Sequence, residues 1–260
     1  MPDAAPGRVW VPFELDLGQR TIEASAEIPD APMRVADLLP VLLSFDGAVV
    51  EMVADQVRAA GKIITCGLGC GACCRQIVPI SEAEALYLAE LVGAMPAERQ
   101  ARVRERFRDA LAAAGESLLS RLRDTSGCQE LEARLALHAE YFGKRIACPF
   151  LEEESCSIYE HRPMTCREYL VTSPAVCCWD PRPGSIEPVP MPLKLSVMLY
   201  CFGDGIGNQP TRWLPLLLAL EWAERHAGEP VPCYPAPQMF RNFVRRAEAL
   251  ARCEREDAAP

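Results

Sequence analysis

Nine cysteines gathered into three short groups constrain this chain more than any other feature. The first group is Cys66-Gly-Leu-Gly-Cys70-Gly-Ala-Cys73-Cys74-Arg75. The second spans Cys148-Pro-Phe-Leu, Cys156-Ser-Ile-Tyr and Arg162-Pro163-Met164-Thr165-Cys166-Arg167, and the third is the pair Cys177-Cys178. Gly67, Gly69 and Gly71 let the first loop reverse sharply and bring amide N–H groups near sulfur. With 13 Cys beside only 3 His, an all-sulfur metal site is the economical arrangement. Soft thiolates select zinc, iron–sulfur clusters or Cu(I). Adjacent Cys73 and Cys74 do not both reach one ion from regular backbone. The first loop is therefore expected to supply two or three ligands and the second group to complete the site. A structural metal would contribute on the order of 10 kcal/mol to folding, enough to pin a glycine-rich loop.

Address and charge narrow the partners. Twenty-seven Lys and Arg against 36 Asp and Glu leave a net charge of −9, without the basic stripe that phosphate binding needs, so no nucleic acid is expected. The opening MPDAAPGRVWVPFEL has no basic region followed by an apolar core, and the apolar run Leu214–Leu220 stops at Glu221. Neither a leader nor a membrane span is read, and the expected location is the reducing cytoplasm. There cysteines serve as thiols, metal ligands or redox groups, and a disulfide scaffold is disfavoured.

Patterning predicts a mainly α fold: a helical domain with an N-terminal β-hairpin and irregular cysteine-rich metal-binding loops. Val9, Val11, Phe13, Leu15 and Leu17 alternate up to a turn at Gly18-Gln19, and Ile22, Ala24, Ala26 and Ile28 alternate after it. This hairpin is expected to lie as a lid on a helical core. A helix carries Val49, Val53, Val57 and Ala60, with Gly61 at its end. Ser81 and Glu84 form a capping box before the next helix. Pro96 then opens one long helix with the stripe Val103, Phe107, Leu111, Ala114, Leu118 and Leu122. A further helix shows Leu131, Leu135, His138 and Phe142 on one face. Residues 181–192, with five prolines, read as an extended loop before helices near Trp213–His226 and Met239–Arg255. The expected division is 1–62 (hairpin and helices), 63–180 (cysteine-cluster domain with a helical insertion) and 181–260 (Pro-rich loop and final helices).

The order CxxxCxxCC, then CPFL and CxIY, then RPxxCRxY resembles the YkgJ-type cysteine-cluster family, a zinc- or iron-chelating domain, over about residues 63–180. The first spacing here is one residue longer than the family's CxxCxxCC. The resemblance implies metal binding by Cys70, Cys73, Cys74, Cys148, Cys156 and Cys166, and by Cys66. A relative, the flagellin lysine N-methylase, shares this type of cluster, which keeps a group-transferase reading open. Cys66, Cys70 and Cys73 also have the spacing of radical S-adenosylmethionine enzymes. Ala72 stands where those carry an aromatic, however, and no strand–helix series follows.

Ligand number, the glycine-rich loop and the CxxxCxxC spacing favour an iron–sulfur cluster, [4Fe–4S] in type, over zinc, which needs only four thiolates. Arg75, Arg162 and Arg167 flank the thiolates and would offset their charge or form ordinary ion pairs. Arg99, Arg102, Arg104, Arg106 and Arg108 read as a solvated face laced with Glu98 and Glu105. His138 reads as a core histidine and the best non-sulfur ligand candidate, and His161 as a neighbour of the site. Cys128, Cys201, Cys233 and Cys253 read as small buried hydrophobes, and Gly203–Pro210 as a turn. A second reading makes the vicinal pairs Cys73-Cys74 and Cys177-Cys178 thiol redox switches, with Arg75 favouring thiolate at the first. Whether the chain senses or stores metal, delivers it to a partner, or catalyses group transfer is left open, as is any substrate.

Overall fold

The computed structural model describes residues 7–16, 21–124, 131–208 and 212–257. Strands β1 (Arg8–Asp16) and β2 (Thr21–Pro29) pair antiparallel in one register from Arg8↔Pro29 to Asp16↔Thr21. The turn expected at Gly18-Gln19 lies outside the described residues. As the alternation requires, Val11, Leu15 and Ile28 face inward while Trp10 is 68% exposed. The short β3 (Pro32–Met33) then leads into α1 (Val35–Ala59).

Helix α1 begins well before the Val49–Ala60 stretch that periodicity marked. Pro40 removes one intrahelical N–H, but Leu38, Leu39 and Leu42 are fully buried and hold the turn around it. Arg34 starts the helix by donating its backbone N–H to Asp37 at 3.1 Å. Gly61 follows the helix with a φ of +74°, and the Lys62 N–H returns to the Val57 carbonyl, as a C′ glycine does.

After β4 (Pro79–Ile80) come α2 (Glu82–Gly93), α3 (Ala97–Ala114), α4 (Glu116–Arg123) and α5 (Leu131–Gly143). The single long helix expected after Pro96 is two helices. Gly115, at φ +75°, ends α3 and opens α4, and the stripe continues across the break through buried Leu118 and Leu122. Helix α5 turns a different face inward from the one expected. Leu137 and Tyr141 are buried and Leu135 is 60% exposed, because Leu137 and Tyr141 pack into the apolar cluster of α2–α4.

The remaining elements are short. They are β5 (Leu151–Glu152), β6 (Ser155–Cys156), α6 (Met164–Glu168), α7 (Ala175–Trp179), α8 (Leu195–Leu199), β7 (Leu214–Pro215), α9 (Ala219–Arg225), β8 (Tyr234–Pro235) and the long α10 (Ala236–Asp257). The helix expected over Trp213–His226 is shortened because Leu214–Pro215 pairs with β4 instead. The Pro-rich stretch runs extended along residues 170–173, with the Val189 N–H on the Leu170 carbonyl at 2.8 Å. Asp204 accepts N–H groups from Ile206, Gly207 and Asn208, which makes the Gly203 segment a turn; its last two residues fall outside the described ones. Ten α-helices and four two-stranded ladders among the described residues make the fold mainly α.

Two large apolar clusters form, with a third, small one of Ala72, Val171 and Cys178 beside the first cysteine loop. Of the large two, one joins the hairpin, α1, α8 and α10, and the other joins α2–α5 with residues 214–220. The thiols lie where segments from both meet.

Candidate metal centre

The first cysteine loop is a run of tight turns. The Cys70 N–H donates to the Gly67 carbonyl, Gly69 takes φ +87°, and the Cys74 N–H donates to Gly71 across the 3-10 turn Ala72–Arg75. One hydrogen bond decides whether the distant second group joins it. The Cys148 N–H donates to the Cys74 carbonyl at 2.7 Å. Antiparallel β5–β6 then sets Leu151 opposite Cys156, and α6 presents Cys166. Cys70, Cys73, Cys74, Cys148, Cys156 and Cys166 line one cavity of about 160 Å3, walled by Phe150, Ile158 and Leu216.

Cys66 does not line that cavity. It packs with Cys70 around Ala72, Val171 and Cys178, and its Sγ accepts the Val171 N–H at 3.3 Å. The sequence left Cys177 and Cys178 unassigned. The structure buries Cys178 to 4% exposure beside the first loop and leaves Cys177 part-exposed. A Cys-Cys pair on a five-residue helix carries no periodic signal, so only the tertiary packing reveals which thiol turns inward.

Buried polar clips hold these segments. Glu84 closes the expected capping box by accepting from the Ser81 N–H and hydroxyl, and its other oxygen accepts the Met164 N–H at 3.0 Å. The N-terminus of α2 thereby carries the start of α6 and with it Cys166. Glu168 accepts the Ser196 N–H at 2.9 Å and the Ser196 hydroxyl, fixing α6 to α8. Thr65 donates its N–H to Val171 and its hydroxyl to the Ser173 carbonyl, fixing the first loop to the strand before α7.

Without a cation this site favours neutral thiols. Burial pushes the Cys148 thiol up to about 12, with the charges of Cys156 and Cys73 adding to it, and drives part-buried Cys166 well up. Cys73 is raised first by its hydrogen bond with Cys74 and then by burial. Burial likewise raises Cys66 and Cys156, and it pushes Cys178 up to about 11. Arg162 pulls the other way. It lines the cavity, lies 3.6 Å over the Tyr159 ring and favours thiolate at Cys66, Cys73, Cys156 and Cys166. Arg167 clips backbone instead, donating to the Arg162 and Glu160 carbonyls.

Among the described residues, no three His, Cys, Asp or Glu side chains stand preset around a single point. The donor chemistry of the shared cavity nevertheless fits a thiophilic metal. Six thiols line it and no imidazole or carboxylate does. His161 pairs with the Tyr87 hydroxyl at 2.7 Å, outside the lining. His138 is half-buried on α5, where burial lowers its pKa, and it does not reach the cavity. Cys201 packs part-buried against the first apolar cluster. Cys233, expected to be buried, is exposed because it follows the exposed Pro230–Pro232 loop. Cys128 and the Cys253 side chain lie outside the described residues.

Residues 65–182 match the family model CxxCxxCC, "putative zinc- or iron-chelating domain". This segment is similar to the CxxCxxCC domain. No curated protein and no solved structure matches the chain. The matched segment opens one residue before Cys66 and closes just past Trp179, so it takes in all three cysteine groups, including buried Cys178. Between them it spans α2–α5, whose arginines work within the fold. Arg99 donates to the Ser157 carbonyl, Arg104 pairs with Glu224 and Arg106 with Glu152. Arg102, paired with Glu98, and Arg108 stay exposed on the expected solvated face, while Arg99 and Arg106 tie α3 to the β5–β6 hairpin beside Cys156.

Proposed function

We propose that this chain is a cytoplasmic metalloprotein whose CxxCxxCC domain holds an iron–sulfur cluster, [4Fe–4S] in type, with Cys-coordinated zinc as the competing occupant. Its ligands come from Cys70, Cys73, Cys74, Cys148, Cys156 and Cys166, with Cys66 at the flank. The observation that carries this reading is the Cys148-to-Cys74 hydrogen bond, which closes two thiol groups far apart in sequence around one cavity. A zinc ion and a [4Fe–4S] cluster each take four thiolates, so the count of six does not choose between them; the Cys66, Cys70 and Cys73 spacing and the glycine-rich turns of the first loop support the cluster. A bound cluster would supply one-electron chemistry, and zinc would supply a fixed positive charge. The chain's own residues exclude water through Phe150 and Ile158, and Arg162 offsets the thiolates' excess negative charge.

A group-transfer role would call for a substrate cleft beside the thiols. A larger groove of about 720 Å3 runs between α2 and α9, and it shares no lining residue with the thiol cavity. The reading is therefore a binding and redox or sensing centre, acting without membrane or nucleic acid.

Anaerobic purification with elemental analysis, labile-sulfide assay and visible absorbance tests it. Brown protein with iron and sulfide supports the cluster. Colourless protein with zinc supports the competing occupant, and protein lacking both metals overturns the reading.

A further inference from the structure

Arg75 touches all three cysteine-bearing segments at once. Its Nη1 donates to the Gly71 carbonyl in the first loop at 2.9 Å. Its two terminal nitrogens grip both carboxylate oxygens of Glu154, in the turn before Cys156, at 3.0 and 2.7 Å. Its flat face lies 4.1 Å over the ring of Trp179, the residue after Cys178. The side chain is only 14% exposed. A guanidinium alone combines these contacts, because it offers a rigid fork to a carboxylate, a spare N–H to a carbonyl and a planar cationic face to an indole.

The surroundings are shaped for this clamp. Glu153 and Glu154 both take positive φ, 49° and 59°, in a two-residue hairpin turn where Asn-Gly would be the relaxed choice. Strain of this kind persists where neighbouring contacts over-determine the backbone. Here the turn rests directly on Gly71, where a Cβ would come within 2.6 Å of a Glu154 oxygen and 2.8 Å of Leu151 Cδ1. Arg145 secures the far side by donating to the Trp179 carbonyl at 2.6 Å.

We propose that Arg75 is a positioning residue of the metal centre. It is not a ligand; it sets metal affinity by holding the first loop, the β5–β6 turn and α7 in fixed relation, and it keeps Cys178 turned inward. This rests on the metal-centre reading above. Partners that orient ligands from behind change affinity by roughly tenfold to a hundredfold when removed.

The test uses the full-length chain with Arg75→Lys, Arg75→Ala and Glu154→Gly. Chelator competition on the metal-loaded proteins reads affinity for zinc or iron. Iodoacetamide labelling of the metal-stripped proteins, mapped by mass spectrometry, reads exposure of Cys178 against Cys177. In the native chain Cys178 should label far more slowly than Cys177. In all three variants the two should label alike, and metal affinity should fall tenfold or more. Glu154→Gly is the decisive variant should Arg75→Ala fail to fold. It relieves the left-handed backbone, so in melts of the metal-stripped protein a merely structural pair would lose melting temperature along with affinity, whereas a positioning role lowers affinity while that melting temperature holds or rises. Affinity within twofold of native in Arg75→Lys and Glu154→Gly, with Cys178 still protected, overturns the proposal. A native chain that retains neither metal overturns the underlying reading instead, and loss of Cys178 protection in its Arg75 variants would still sustain the clamp.

Discussion

The cluster around α1 and α10 and the thiol centre are built on opposite principles. In the first, long elements bury continuous apolar faces. The rings of Phe13, Phe45 and Phe240 meet edge-on at 5.3 to 5.8 Å, and Phe202 meets Phe243 at 5.2 Å. In the second, five-residue helices and two-residue strands, too short to persist alone, are joined by side chains bonding to backbone across the chain. The aromatic cluster is complete as it stands. The thiol centre concentrates groups that repel one another once ionised and gains most from a cation. The contrast teaches that this fold divides its labour, with burial supplying the scaffold and polar clips supplying a shape whose energy depends on what it binds.

The largest expected effect strikes the clipped region. Cys148→Ser or Cys70→Ser should lower metal per chain and thermal stability together, by an amount approaching the order of 10 kcal/mol that a structural metal supplies. Cys233→Ser, at an exposed position, should change neither. Elemental analysis paired with thermal melts checks all three, and a Cys148→Ser protein with full metal content would remove that residue from the ligand set.

Next, Phe240→Ala should cost about 3–5 kcal/mol in denaturant unfolding and leave metal stoichiometry intact. Metal lost in a variant that is still folded would mean the two regions are not independent.

Asp46 lies between the regions, fully buried on α1, and neither carboxylate oxygen has a hydrogen-bond partner among the described residues. Burial, then the charges of Glu168 and Glu84, push it up to about 8 against an opposing pull from Arg167. Because the folded pKa is raised, its contribution is fully present below the ordinary value of 3.8 and lost as pH climbs to about 8. Asp46→Asn carries no such proton. Its advantage in melts should grow from pH 4 to pH 8, by up to about 1.4 kcal/mol per pH unit, and level off above. A flat difference across that range would refute the assignment.

The smallest effect is Ser81→Ala, which removes a cap worth about 1 kcal/mol and loosens the Glu84 support of Met164. A small fall in melting temperature with a modest loss of chelator resistance is expected.

Local chemistry was readable from the residues. The Ser81/Glu84 box, the Gly61 stop, the hairpin alternation and the thiol spacing each act within a few positions, so sequence displays them. What escaped depends on distant partners. The first half of α1 contains Pro40 and holds through the buried leucines around it, a tertiary effect. Gly115 breaks the helix while the apolar positions keep phase across it, so periodicity alone reads through the break. The face that α5 buries is set by Leu137 and Tyr141 packing against the neighbouring helices. In the centre, Glu84's second partner lies eighty residues away and Arg75's carboxylate seventy-nine, separations at which no pattern survives.

The spacing between Cys74 and Cys148 also orders events in time. A ribosome adding 5–20 residues per second delivers the second thiol group roughly 4–15 seconds after the first. The intervening stretch encodes α2 to α5, so during that interval the nascent chain presents a reactive, unfinished half-site while those helices are still emerging. Coordination that draws on both thiol groups is therefore completed only after the inserted helices have been made.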